Sequence, residues 1–200
     1  MSFESYNNIA EVLKEFQIVY KEEDFLQPIN FKIPEYIRAE LEFSLQEVVV
    51  DNSEAAICET FIYPILREVW KQYKEKLMLW SHRYLKYDEK LSGCPDYLVS
   101  QKSPLGKVVF ESPFFAVIEA KQDNFTQGWG QCLAGVVAIQ KMSDRPEKTF
   151  FGGVSNGRRW EFGKLELQEL TKNIKAYNIE SLDEIFGAVA YVFQQCLAQI

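Results

Sequence analysis

Apolar positions in the first third of the chain recur at helical spacing. Ile9, Val12, Leu13 and Phe16 share one face, so an amphipathic helix is predicted near the start. Pro34 supplies a second helix start, and Ile37, Leu41, Leu45 and Val48 continue an apolar stripe behind it. Asn52 or Ser53 stands where it can cap a third helix, which begins at Glu54 and buries Cys58, Phe61, Ile62, Ile65 and Val69. Pro64 is expected to kink that helix. From Leu77 the pattern changes to strand-like runs over 79–85, 96–100, 107–111 and 114–121. A helix is predicted over 126–141, then two strands flanking Asn156-Gly157, a strong short hairpin signal. Ser181 with Glu184 three residues on forms a capping-box pattern ahead of Ile185, Val189 and Val192. Residues 25–33 fit neither period. Helices first, then strands, a crossover helix and more strands predict an α/β fold: a mixed central sheet flanked by helices on both faces.

Composition narrows this picture. At 200 residues, 47% hydrophobic and 26% charged, the chain suits one domain. Within it, 1–50 reads as a helical N-terminal extension, 53–165 as the core and 179–200 as a closing helix. No apolar run approaches the roughly 20 residues that span a bilayer, and residues 1–10 lack a secretory pattern, so a cytoplasmic location and no membrane partner are expected. Cys58, Cys94, Cys132 and Cys196 are widely spaced beside apolar residues and are expected to be reduced core thiols, with no Cys-x-x-Cys zinc spacing. His82 is the only histidine, which excludes sites built on several imidazoles. No Gly-rich phosphate loop supports an ATPase. The net charge of −7 argues against a generally nucleic-acid-coating surface, yet leaves room for local basic stretches such as Lys71, Lys74, Lys76, Arg83 and Lys86, or Arg158 and Arg159.

The informative chemistry is in the run from Phe114 to Lys121. On a strand, side chains alternate, so Glu119 and Lys121 share one face while Ile118 and Ala120 share the other. A buried apolar run thus ends in two opposite charges side by side. Alone, Glu-x-Lys is equally a salt-bridged strand end. Upstream, Gly93-Cys94-Pro95-Asp96 places a carboxylate at the start of a predicted strand, after a turn. Downstream, Gln127 and Gln131 lie four residues apart on one face of the crossover helix. Glu54 is expected to point towards the buried stripe of its helix, where a carboxylate calls for a partner or a metal. Trp129 and Trp160 are read as packing, with a base-stacking role for Trp160 beside Arg158 and Arg159 as the alternative. Gly128, Gly130, Ala134 and Gly135 are expected to let the crossover helix approach the sheet.

The order Glu54, Pro95-Asp96, Glu119-Ala120-Lys121, Gln131 resembles the PD-(D/E)XK, or restriction-endonuclease-like, nuclease superfamily. It is most similar in texture to small uncharacterised bacterial members and to the N-terminal nuclease domains of type I restriction subunits. The resemblance covers about 53–165; a tyrosine that follows the motif glutamine in some relatives is replaced by Gly135. It implies a restriction-endonuclease-like fold and a metal-dependent endodeoxyribonuclease. In such a site Asp96, Glu119 and Glu54 hold Mg²⁺ or Mn²⁺, with Lys121 and Gln131 also catalytic. Glu59 and Glu68 compete with Glu54 for the first acidic position. DNA is the implied substrate, cut by a homodimer or beside a separate specificity partner. The alternative is a non-catalytic binding or assembly module on the same scaffold.

Overall fold

The computed structural model describes residues 2–50 and 53–200. The chain opens with a 3₁₀ turn at Phe3–Ser5, helix α1 (Ile9–Phe16), strand β1 (Val19–Glu22) and helix α2 (Glu35–Glu47). Helix α3 (Glu54–Ile57) runs through a π-helical turn (Cys58–Ile62) into α4 (Tyr63–Trp70). Four strands follow, β2 (Leu77–Ser81), β3 (Leu85–Lys86), β4 (Ser92–Gly93) and β5 (Tyr97–Gln101), and then β6 (Phe114–Ala120) and helix α5 (Phe125–Lys141). Strands β7 (Thr149–Ser155), β8 (Arg159–Glu166), β9 (Glu169–Lys172) and β10 (Tyr177–Asn178) lead to helix α6 (Leu182–Leu197).

The main sheet runs β1-β9-β8-β7-β6-β5-β2, with β10 beside β8. It is mixed: β1 with β9 and β6 with β7 are parallel, and the other pairs are antiparallel. The expected α/β architecture is therefore observed. On one face, Val117, Val154 and Leu165 pack under α5 against Trp129, Cys132, Leu133 and Val136. On the other, Ile118, Ala120, Phe151 and Phe162 meet Phe61, Ile62 and Ile65 of the α3–α4 helix and Phe186, Val189 and Phe193 of α6. Every residue from Gly128 to Gln140 is buried, so α5 is enclosed on all sides, by the sheet beneath it and by α1 and the N-terminal turn around it.

Several expectations change in detail. Residues 107–111 form no strand. The segment pairs with no strand of the sheet, in which β5 and β6 on either side of it in sequence are already flanked on both edges, and Phe110 instead packs against Trp80 and Phe114. The run 79–85 is broken at His82, whose backbone is left-handed (φ 50°), and Leu85 moves into a separate two-stranded sheet with β4. The helix carrying Pro64 is irregular where a kink was expected: a π-helical turn precedes the proline, which falls in the first turn of α4. Ser53 caps α3, its hydroxyl accepting from Ala56 N at 3.1 Å; Asn52, the other candidate, lies outside the described residues. The capping box at Ser181 is not closed, because Ser181 makes no cap bond and Glu184 accepts from Lys175 Nζ at 2.8 Å. The stretch 1–50 is not purely helical, since it adds β1 to the sheet edge. Residues 25–33 are packed within the chain through Leu26, Phe31 and Ile33. Among the described residues, no helix is long and apolar enough to cross a membrane.

Candidate functional site

The site forms because β5 and β6 are antiparallel. Tyr97 pairs with Ile118, so the residue before β5 and the residues at the end of β6 arrive at the same end of the sheet. Asp96 Oδ2 accepts a hydrogen bond from Ala120 N at 2.7 Å, which locks the two segments together. Alternation along β6 sends Glu119 and Lys121 to the α5 side of the sheet, as expected. The backbone of Lys121 is held by its N–H to Ser155 O at 2.9 Å, which ties it to β7.

These residues line one open pocket of about 380 Å³ with Phe3, Glu4, Glu54, Cys94, Gln127 and Gln131. All five residues singled out from sequence, Glu54, Asp96, Glu119, Lys121 and Gln131, therefore meet in one place, as does Gln127. Gln131 is buried, and the first turn of α5 is fixed by Asn124, whose side chain accepts from Gln127 N at 3.0 Å. Glu54 is placed differently from the expectation. It is half exposed rather than turned into the helix's buried stripe, and its partner is Lys121, whose Nζ lies 3.3 Å from Glu54 Oε2. The first residue of a capped helix has its side chain free of the packed face. Of its rivals, Glu59 is exposed and does not line the pocket. Glu68 is buried but serves elsewhere, accepting from Tyr36 Oη at 2.6 Å and pairing with Lys71.

Four carboxyl residues and one lysine thus share the pocket. Burial, reinforced by the charge of Asp96, a hydrogen bond to it and the charge of Glu54, holds the Glu119 carboxyl well above the usual range, although Lys121 pulls it down. Two carboxyls in contact cannot both ionise without a proton or a cation between them. The donors facing the pocket are mostly hard oxygens, the set that suits Mg²⁺ or Mn²⁺, so the residues fit such an ion, with Asp96 and Glu119 as primary holders and Glu54 beside them.

Some members of the site carried no signal in the sequence. Phe3 is buried against Gly93, where a Cβ would stand 2.6 Å from its ring, and this close approach sets Glu4 at the pocket. Nothing in the periodicity of the first residues points there. Cys94 was expected in the core but is exposed and lines the pocket. The other three cysteines are buried and unpaired, as expected. His82 also approaches, its Nε2 3.3 Å from Asp96 Oδ1. The stacking alternative for Trp160 is excluded by its complete burial, with Nε1 donating to Gly157 O at 3.2 Å. Trp129 is buried too and donates to Glu161 Oε2 at 2.8 Å. Gly128 and Gly135 do let α5 approach the sheet, but Gly130 faces the backbone of Tyr6 and Asn8 instead.

No protein-family model matches this chain, and a search of the curated proteins finds no match either.

Proposed function

We propose that the pocket is a PD-(D/E)XK-type site that hydrolyses phosphodiester bonds in DNA with Mg²⁺ or Mn²⁺, on a restriction-endonuclease-like version of the α/β fold. The observation that carries this reading is the convergence of Asp96, Glu119 and Lys121 with Glu54 and Gln131 in one pocket at the end of β6. A bound divalent cation supplies neutralising charge and Lewis acidity at the scissile phosphate. Asp96 and Glu119 hold it, the first fixed by Ala120 N and the second by burial. Glu54 keeps the Lys121 ammonium at the pocket, where it orients the attacking water and offsets charge gained by the phosphate. Gln131, on the rigid α5, presents an amide to water or a phosphate oxygen. In-line attack forms one P–O bond and breaks the opposite one. Arg83, whose guanidinium lies over Trp80 and Phe110, and Arg158, exposed in the hairpin beyond β7, are the candidates to grip flanking phosphates. A homodimer or a separate specificity partner supplies recognition of sequence.

A second reading has one specific observation behind it: Lys121 is already paired with Glu54 in a chain of net charge −7. That suits a non-catalytic binding or assembly module on the same scaffold. Calorimetric titration with Mn²⁺ and a plasmid-cleavage assay, on wild type and Glu119→Gln, separate the two. Binding and cleavage that both vanish in the variant support the nuclease. Binding without cleavage selects the module, and no binding by folded wild type even with DNA present rejects the metal site.

A further inference from the structure

Beside the hard-oxygen pocket, Cys58, His82 and Asp96 form a second cluster of different chemistry. The Cys58 sulfur, a His82 ring nitrogen and an Asp96 carboxylate oxygen all lie within 4.8 Å of one another. We propose that these three residues form a binding site for a borderline-soft transition-metal ion of the Zn²⁺ or Co²⁺ class, separate from the Mg²⁺ site and sharing only Asp96 with it.

Three local features bring the donors together. Cys58 begins the π-helical turn, an irregularity that re-aims side chains relative to a regular helix. His82 follows β2 directly in a left-handed conformation, uncommon for a residue with a side chain, and its N–H is bonded to Asp96 O at 2.9 Å. Its ring is oriented as well. Nδ1 lies 2.7 Å from Ser81 Oγ, and the ring stands edge-on to Tyr97 at 6.0 Å, which leaves Nε2 facing Asp96 at 3.3 Å. A hydrogen bond on one ring nitrogen fixes the other as the ligand.

The dimensions suit the ion. Bond lengths of about 2.0–2.3 Å to nitrogen, oxygen and sulfur put tetrahedral ligands about 3.3–3.7 Å apart. The His82–Asp96 separation is already in that range, and the widest separation needs to close by about 1 Å. That closure takes small side-chain adjustments, which the 56% exposure of the His82 side chain permits on its side of the cluster. Thiolate and imidazole donors disfavour Mg²⁺, and the lining of the hard-oxygen pocket includes neither an imidazole nor a buried thiol, so the two sites differ in ion preference. Because Asp96 belongs to both, occupation of the Cys58 site draws its carboxylate away from Glu119, and Zn²⁺ is expected to antagonise the Mg²⁺ site.

The test is Co²⁺ titration of the full chain under reducing conditions, followed by absorption. Wild type should bind one equivalent with a sulfur-to-cobalt charge-transfer band. Zn²⁺ should displace the cobalt, whereas Mg²⁺ in excess should not. Cys58→Ser should lose the band, and Cys94→Ser should keep it. Since Cys58 is buried, His82→Ala provides a variant that leaves the core intact, and its Co²⁺ affinity should fall by at least about tenfold. No charge-transfer band in folded wild type, a band that follows Cys94 instead of Cys58, or unchanged affinity in His82→Ala would each overturn the proposal. Glu119→Gln should retain the band. Failure of the nuclease reading, seen in Mn²⁺ binding and cleavage, is thereby distinguishable from failure of this one.

Discussion

Gly128 is the fourth residue of α5 and lies directly over the pocket lysine, so Gly128→Ala tests how tightly packing and chemistry are joined. An added Cβ would stand 2.7 Å from Lys121 Cγ and 2.8 Å from Val154 Cγ1. Carbon atoms prefer about 3.5–4.0 Å, so the shortfall is at least roughly 0.7–0.8 Å at each contact. The two neighbours differ in what they can yield. Lys121 has a flexible stem, whereas Val154 is fully buried and β-branched, with one stiff torsion. Over-packing of this kind costs about 1–3 kcal/mol, and replacing glycine by alanine within a helix returns about 1 kcal/mol. The net loss is therefore about 0–2 kcal/mol, or a fall in Tm of about 0–8 °C for a chain of this size. The cheapest relaxation swings Lys121 aside and opens its pair with Glu54, so on the proposed nuclease reading cleavage should fall much further than stability. Thermal unfolding and a cleavage assay on Gly128→Ala read the two effects, with Gly135→Ala as control. There the nearest contact is a milder 3.1 Å to Val117 Cγ1, away from the pocket. A Gly128→Ala protein that is more stable than wild type by the full helix-propensity gain and keeps its cleavage rate would refute this reasoning.

Further outcomes follow from charge and burial. Burial alone would raise the Glu161 carboxyl, but bonds from Lys172, Trp129 and Arg159 outweigh it and lower its pKa. A depressed carboxyl stabilises the fold above its unfolded pKa of about 4.3 and loses that contribution as pH falls through the folded value. Urea titrations below pH 5 should therefore show a decline that Glu161→Gln weakens, and at pH 7 that variant should lose about 1–2 kcal/mol, reduced by the partial exposure of Lys172 and Arg159. Glu119 has the opposite sign: its raised pKa favours the fold below the unfolded value, and that benefit is lost as pH rises through the folded one. Glu119→Gln should flatten this part of the stability profile, measured without divalent ions; an unchanged slope would show that another group is responsible. Trp160→Ala should cost about 3–5 kcal/mol in chemical denaturation, because the indole is fully buried. A near-neutral result would contradict its place in the core.

What could be read from the sequence divides along physical lines. Elements whose burial follows one period were legible: α1, the α3–α4 helix, β6, α5 and the hairpin at Asn156-Gly157 occur where their patterns place them. The site's centre was legible too, since alternation on β6 fixes Glu119 beside Lys121, and a hairpin between Asp96 and Glu119 brings both to one sheet end. Long-range pairing was not. Strand β1 is exposed at all four residues and joins β9 through backbone bonds, so its side chains record nothing of the partner. Residues 107–111 have strand-like side chains but pair with no strand, and Phe110 packs on Trp80 and Phe114 instead, a tertiary contact that Val108 and Val109 do not record. Glu54 was placed in the right pocket for a wrong reason: it meets Lys121 by starting a helix at the sheet end, not by facing the helix's apolar side.

The same distinction bears on the chain's acidity. A net charge of −7 counts against nucleic-acid binding only if the charges are spread evenly over the contact surface. Here four carboxyl residues are concentrated in a single pocket, while many surface cations are spent on local pairs, such as Lys71 with Glu68, Lys90 with Glu15 and Lys175 with Glu184. The pocket by itself repels a phosphate. On the proposed nuclease reading, a divalent cation held by Asp96 and Glu119 would offset most of that charge, so DNA and metal affinities are expected to be coupled: each ligand should tighten binding of the other by the same factor. On that reading the acidic pocket gives a reason for metal dependence, and the position of the charge matters more than its sum.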